Sequence, residues 1–303
     1  MLNKAVDSYL AVRRAAGFDL KVPEYLLRSF ARFASIRGQT HVSAQTVIEW
    51  ASEAPSLSQR DHRLNTVRRF AHRVHVEDSR HEVPPKGVFA YRKKRRMPFI
   101  LSNEHVNRLL QAATQLGPQD SLRPHTYSTL FALLVITGLR ISEALALVFD
   151  DITADGLVIR NTKFQKNRLV PLHETAQAGL DSYLCRRRCF ATCDDHIFIT
   201  VRGKVLDRSS VQWTFRRILK AIGLDPARDG RRPRIHDLRH TYACRALEAC
   251  PEGRDNVGRH MRALSTYMGH SKIDDTFWYL ESTPHLMQDI AKTCESFLKG
   301  GRR

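Results

Sequence analysis

Along the chain the side chains most able to do chemistry appear in the order Arg, Lys, His, Arg, His, Tyr. They are Arg140 in Thr137-Gly138-Leu139-Arg140-Ile141-Ser142-Glu143, Lys163, His236 and Arg239 in His236-Asp237-Leu238-Arg239-His240, His270 after Gly269, and Tyr279 in Phe277-Trp278-Tyr279-Leu280. Guanidinium groups are permanently charged planar forks that match pairs of phosphate oxygens. Imidazoles move protons near neutral pH, and a phenol becomes a nucleophile when a base takes its proton. The set suits chemistry on an anionic phosphoryl group. Singly, each residue has an ordinary structural explanation: an Arg after a helix break caps or solvates, a lone His on a helix is structural, and a Trp-Tyr pair packs a core. His-x-x-Arg also recurs at His105-Val106-Asn107-Arg108. The weight therefore falls on order and context together.

The composition points to an anionic partner. Among 303 residues, 49 Lys and Arg face 31 Asp and Glu, a formal net charge of +18. Such an excess repels itself in a compact state unless a polyanion neutralises it, so nucleic acid is the first partner expected and an acidic membrane surface the second. A hydrophobic fraction of 42% excludes general disorder. The apolar run Leu130 to Leu139 is broken by Thr137 and Gly138 and falls short of the roughly 18 residues of a membrane span. No signal-peptide pattern opens the chain, and the cytoplasm is the expected compartment. Cys185, Cys189 and Cys193, with His196 beyond them, have successive one-turn spacings on one helix, which spread ligands along an axis rather than around a tetrahedron. No metal site is expected there.

At roughly 100 to 200 residues per domain, the length predicts two domains. Residues 1–88 show helical spacing of apolar residues: Tyr9, Val12 and Ala16, then Leu26, Phe30 and Phe33, then Val47 and Trp50. A further helix from about Gln59 to Val74 turns Leu64, Val67 and Phe70 inward and carries Arg60, Arg63, Arg68, Arg69 and Arg73, candidate DNA contacts or a solvated basic face. Residues 89–97 form a basic linker holding Arg92, Lys93, Lys94, Arg95 and Arg96, which would follow a phosphate backbone. From residue 98 to 303, Ser102 caps a helix, and an apolar helix from about Tyr127 ends at Thr137-Gly138. Arg140 then stands in the turn before a new helix. Strands are predicted at Leu157–Arg160 and Arg168–Leu172, with a second short hairpin pairing Ile197–Ile199 with Lys204–Leu206. The expected fold is mainly α with a small antiparallel β-sheet.

On these motifs the chain resembles the tyrosine recombinase, or phage integrase, family, including its Xer-type members and transposon integrases. The resemblance covers residues 98–303 and extends more loosely to 1–88, which looks like the family's helical core-binding domain. It implies a two-domain clamp around DNA and active-site roles at Arg140, Lys163, His236, Arg239, His270 and Tyr279. Lys163 is preferred over Lys166 by aligning Lys166-Asn167-Arg168-Leu169-Val170-Pro171-Leu172 with the following strand, although Thr162 and Phe164 replace the glycines often found beside the family lysine. The stretch from Cys250 to Met261 looks longer than the usual connection.

The resemblance implies a nucleophilic Tyr279, a general acid at Lys163, and phosphate contacts from both arginines and both histidines, with His240 in support. It implies no metal or nucleotide cofactor, a duplex DNA partner with paired recombination sites, and a homo-tetramer on DNA. A tail with Ile290, Cys294, Phe297 and Leu298 is expected to form an amphipathic helix, docked either on its own core or on a neighbouring protomer. Two other functions use similar features: relaxation of supercoils in the manner of a type IB topoisomerase, and regulation by a catalytically silent DNA-binding protein. An accompanying carboxylate triad for a metal-dependent transposase is not found, although Asp194-Asp195 and Asp274-Asp275 are adjacent pairs.

Overall fold

A computed structural model describes residues 2–91, 96–160, 167–190, 194–226, 230–249 and 254–269, with side chains from 258 onward in the last segment. The chain divides into two compact units, Met1–Arg96 and Met97–Arg303. The first contains helices α1 (Leu2–Ala15), α2 (Lys21–Ile36), α3 (Ala44–Ser52) and α4 (Leu57–Glu77). Ser56 starts α4 by accepting the Gln59 N–H on its hydroxyl, which satisfies one of the donors that a helix start leaves open.

The core of this unit gathers Leu27, Phe30, Val47, Trp50, Leu64, Val67 and Phe70, in agreement with the helical spacing. On α1 the expectation is corrected. Its buried stripe is Leu2, Val6 and Leu10, at four-residue steps that keep one helix face. Val12 is 59% exposed, Ala16 is exposed, and Tyr9 lies at the margin with its edge against Phe70. Two apolar series compete on α1, and the continuous aliphatic one takes the core.

The second unit opens with α5 (Asn103–Thr114) and α6 (Leu122–Thr137), followed by the short α7 (Ile141–Leu145). Ser102 caps α5 as its position predicts. Helix α6 begins before Tyr127 because Ser121 accepts the Arg123 N–H, and it carries Leu130, Phe131 and Leu134 into the core. An antiparallel sheet of order β1-β2-β3 comes next, formed by β1 (Ile152–Thr153), β2 (Gly156–Ile159) and β3 (Arg168–Val170). Register pairs Leu157 with Val170 and Ile159 with Arg168. Strand β1 is too short to show a period and is absent from the sequence expectation.

Helices α8 (Glu174–Arg188), α9 (Arg208–Ala221), α10 (His236–Glu248) and α11 (Arg254–Met268) complete the described elements. The second predicted hairpin is reduced to an isolated bridge, Ile199 to Val205, flanked by backbone bonds from Thr200 to Lys204 and from Leu206 to Phe198. Phe198 and Ile199 instead enter the helical core. The fold is mainly helical with a small antiparallel sheet, as the sequence predicts. No described helix is long and apolar enough to cross a membrane.

Candidate active site

The site is assembled where the end of α6, the start of α10 and the end of α11 meet. Gly138 closes α6 in the left-handed region at φ 61°. A Cβ there would lie 2.5 Å from Tyr242 Cδ1 and 3.2 Å from Met268 Sδ. Glycine is needed twice, for the backbone conformation and for the close approach of α10 and α11. Two residues later, Arg140 forms the N-cap of α7. Its amide donates to Glu143 Oε2 at 2.9 Å, and its guanidinium donates to Glu143 Oε1 at 2.7 Å and to the Gly269 carbonyl at 2.9 Å.

Arg239, one turn into α10, is only 2% exposed. Its fork donates to the Gly138 carbonyl at 2.6 Å and to the Met268 carbonyl. The two arginines are thus held by successive carbonyls at the end of α11, where a helix presents its partial negative charge. The next residue in sequence after Gly269 is His270, which lies outside the described residues.

Glu143 and Arg168 complete this arrangement, although the sequence motifs assign neither a role. Arg168, at the start of β3, donates Nη1 to Glu143 Oε1 at 3.1 Å and Nη2 to Oε2 at 2.8 Å. Burial opposes charge on Glu143, but hydrogen bonds from Arg168 and the Arg140 backbone, then the charge of Arg168 and a hydrogen bond from the Arg140 side chain, hold its pKa down at about 2. The carboxylate is therefore ionised at neutral pH and bridges two cations. The three-residue step from Arg140 to Glu143 at a helix start is a detectable sequence signal. Arg168 is 25 positions from Glu143, so no local spacing announces that pair.

His236 opens α10. Close packing, followed by the charges of Arg239, Arg234 and Arg140, lowers its pKa to about 4, against a smaller opposing effect of Asp237. The residue retains solvent exposure, which tempers the desolvation, but the surrounding cations fix the direction. The ring is neutral at pH 7 and able to accept a proton. It meets the buried His240 edge to face at 4.6 Å between centroids. Tyr267 stacks on Tyr242 at 5.5 Å; burial and its hydrogen bond to Tyr242 raise its pKa, despite the opposing charges of Arg168 and Arg239.

The structure therefore brings together Arg140, His236 and Arg239 among the expected residues. Lys163, His270, Tyr279 and the C-terminal tail lie outside the described residues, as do Arg92, Lys93, Lys94, Arg95, Lys166 and Cys193. On α4, Arg60 donates to the Ala54 carbonyl, Arg63 to Trp50 and Arg68 to Pro84. The exposed Arg69 donates to Asn65, and Arg73 pairs with Glu77. Arg96 is exposed.

One cluster of metal-ligand types among the described residues went unmarked by sequence spacing: His41, Asp78 and His81. It is built as a hydrogen-bonded clasp. Arg80 forks onto Asp78, His41 Nε2 lies 3.3 Å from the same carboxylate, and Val42 N–H donates to His81 Nδ1 at 3.0 Å. With Nδ1 accepting, a neutral His81 carries its proton on Nε2 and keeps no second lone pair for an ion.

Fold and site define a two-unit helical protein with an arginine-centred cluster. The profile of the phage integrase family matches residues 100–285. The integrase/recombinase y4rB of Sinorhizobium fredii is 38% identical over 304 residues, covering 97% of this chain and 96% of its own length. Tyrosine recombinase XerD of Agrobacterium fabrum is 27% identical over 328 residues, covering 99% and 95%. The fold is shared with the Tn1549 transposon integrase in complex with transposon right end DNA, at TM-score 0.65, 16% identity and coverage of 91% of this chain and 94% of that one. It is also shared with XerH recombinase bound to its difH substrate, at TM-score 0.61 and 19% identity over 89% and 77% of the chains. The chain belongs to the phage integrase family, and as a tyrosine recombinase it is an enzyme of site-specific DNA recombination.

Proposed function

We propose that this recombinase cleaves and rejoins DNA strands through a covalent 3′-phosphotyrosine formed by Tyr279. The observation that carries the reading is the convergence of Arg140, Arg239 and a neutral His236 on one spot. In the forward step the phenolic oxygen of Tyr279 bonds to phosphorus as the bond from phosphorus to the 5′-oxygen breaks. The phenolic proton passes to the imidazole pair His236 and His270, and Lys163 protonates the departing 5′-oxygen. In the return step a 5′-hydroxyl attacks the phosphotyrosine and releases the phenol. One phosphoester replaces another each time, so no nucleotide is consumed. The arginine forks supply the positive charge that the crowded transition state requires, and no metal is needed for it.

In this reading, residues 1–88 are the helical DNA-grasping part, 89–97 a basic linker and 98–303 the catalytic part. The cations of α4 and Arg92–Arg96 neutralise backbone phosphates. The working form is a homo-tetramer holding two duplex sites in the cytoplasm. Support for such an assembly comes from lambda integrase, whose structure, with TM-score 0.60 and 19% identity, is of a tetramer bound to a Holliday junction.

The test uses nicked duplexes from the DNA flanking the gene, with Tyr279→Phe in parallel. An SDS-resistant, protease-sensitive adduct that disappears in the Phe variant is the expected result. An adduct of equal yield from that variant overturns the assignment. For the tail, truncation after Thr283 is expected to abolish recombination while sparing half-site binding; undiminished recombination overturns assembly through the tail.

A further inference from the structure

We infer that Arg168 is a positioning residue of this enzyme: through Glu143 it sets the orientation of the Arg140 guanidinium. The inference rests on the proposed function and deepens it. Three observations converge. Glu143 uses both oxygens for Arg168 and one of the same oxygens for Arg140, so the carboxylate plane is set jointly by the two forks. The Glu143 side chain is 8% exposed and that of Arg168 12%, whereas Arg140 keeps 29%. The arrangement runs from an enclosed arginine, through an enclosed carboxylate, to an arginine open to a ligand. Finally, Arg168 Nε is buried without a hydrogen-bond partner among the described residues. Among the described residues, then, the fork's hydrogen bonds go from its two Nη groups to Glu143.

Arg168 also sets the path of the chain at the end of α11. A Cβ on Gly269 would lie 2.9 Å from Arg168 Nη1 and 3.5 Å from Arg140 Nη1, so the backbone packs directly against both guanidiniums. The Gly269 carbonyl is in turn an acceptor of Arg140. Arg140 therefore depends on Arg168 through two routes, the carboxylate and the backbone. On the sheet, Arg168 is the β3 partner of Ile159, the last pair of the β2–β3 register. Its anchorage on Glu143 consequently fixes the start of β3, the second described residue after Arg160.

Misplacement of a reacting group by about 1 Å costs roughly 10²-fold in rate, and that loss is expected for Arg168→Ala in single-turnover cleavage of a nicked duplex. Arg168→Lys restores the charge but not the fork and is expected to recover only part of the rate. Glu143→Gln combined with Arg168→Ala should cost little more than either change alone, because both interrupt one connection. The acid side of the rate profile supplies a second readout. Arg140 and Arg168 are the cations on Glu143, with His236, Arg239 and Tyr267 beside those arginines. Loss of Arg168 should raise the Glu143 pKa and introduce an acid-side fall in rate, which Arg168→Lys should largely remove.

An independent measurement does not require turnover. ¹⁵N side-chain NMR of the Arg140 guanidinium is expected to show restricted rotation in the parent and faster averaging in Arg168→Ala, with folding checked by circular dichroism. Unchanged Arg140 rotation in a folded Arg168→Ala protein overturns the inference. If the parent makes no adduct but Arg140 rotation quickens in Arg168→Ala, the proposed function is overturned and the positioning role is retained.

Discussion

Both units are rich in arginine, but they hold it differently. On α4, Arg60, Arg63 and Arg68 grip the carbonyls of three separate residues, Ala54, Trp50 and Pro84. Arg63 also lies over the Trp50 ring, a contact that contributes about 0.5–1 kcal/mol where partly exposed. In the second unit the acceptors are shared: Glu143 serves Arg140 and Arg168, and the neighbouring carbonyls of Met268 and Gly269 serve Arg239 and Arg140. Separately mounted cations suit a surface that follows a phosphate backbone one charge at a time. A joint mounting suits charge stabilisation at one point.

The largest predicted difference follows from that contrast. Arg239→Ala should slow adduct formation by at least 10²-fold, about 3–4 kcal/mol of transition-state stabilisation, and Arg239→Lys should not restore it, since an ammonium cannot span two acceptors. A loss below tenfold in single-turnover assays would break the comparison. The histidines sharpen it next. NMR titration should place the His236 midpoint near 4, and Arg239→Ala should raise it while leaving His81 unaffected. Because the folded pKa of His236 lies below its unfolded value, the unfolded chain binds the proton first. This residue's contribution to stability is complete above about pH 6.5 and declines as pH falls from there toward 4.

A smaller effect separates two left-handed glycines. Gly138→Ala meets both an unfavourable backbone conformation and Tyr242 and should cost about 1–3 kcal/mol in urea unfolding. Gly38, at φ 69°, has nothing within 4 Å of where an added methyl would sit, so its Ala variant should lose only about 1–2 kcal/mol. Equal losses would remove packing at Gly138 from the explanation. Smallest of all, Arg69→Ala should weaken DNA binding similarly across sequences, lower the salt slope by about 1, and leave cleavage at saturating DNA unchanged.

The elements were legible wherever a long period or a terminator was present. Helix α6 is a long apolar run closed by Gly138, and α10 begins at the first histidine of His236-Asp237-Leu238-Arg239-His240. Helix α1 was harder because two apolar series lie three and four residues apart, and a helix accepts either as a face until a partner chooses. The cluster was legible as a list of residue types, but its architecture was not. Arg168 and Glu143 are distant in sequence, and an arginine in a strand has no signature that separates a solvent-facing role from a buried ionic one. The clasp of His41, Asp78 and His81 was invisible for the same reason: it closes only when the exit of α4 returns to the loop before α3.

The Met268 and Gly269 carbonyls have a mechanical consequence. Because they are adjacent on one stretch of backbone and each restrains a different arginine, the two forks share a pivot. A displacement of the last turn of α11 shifts both together, so the spacing between the forks is better protected than the position of either one.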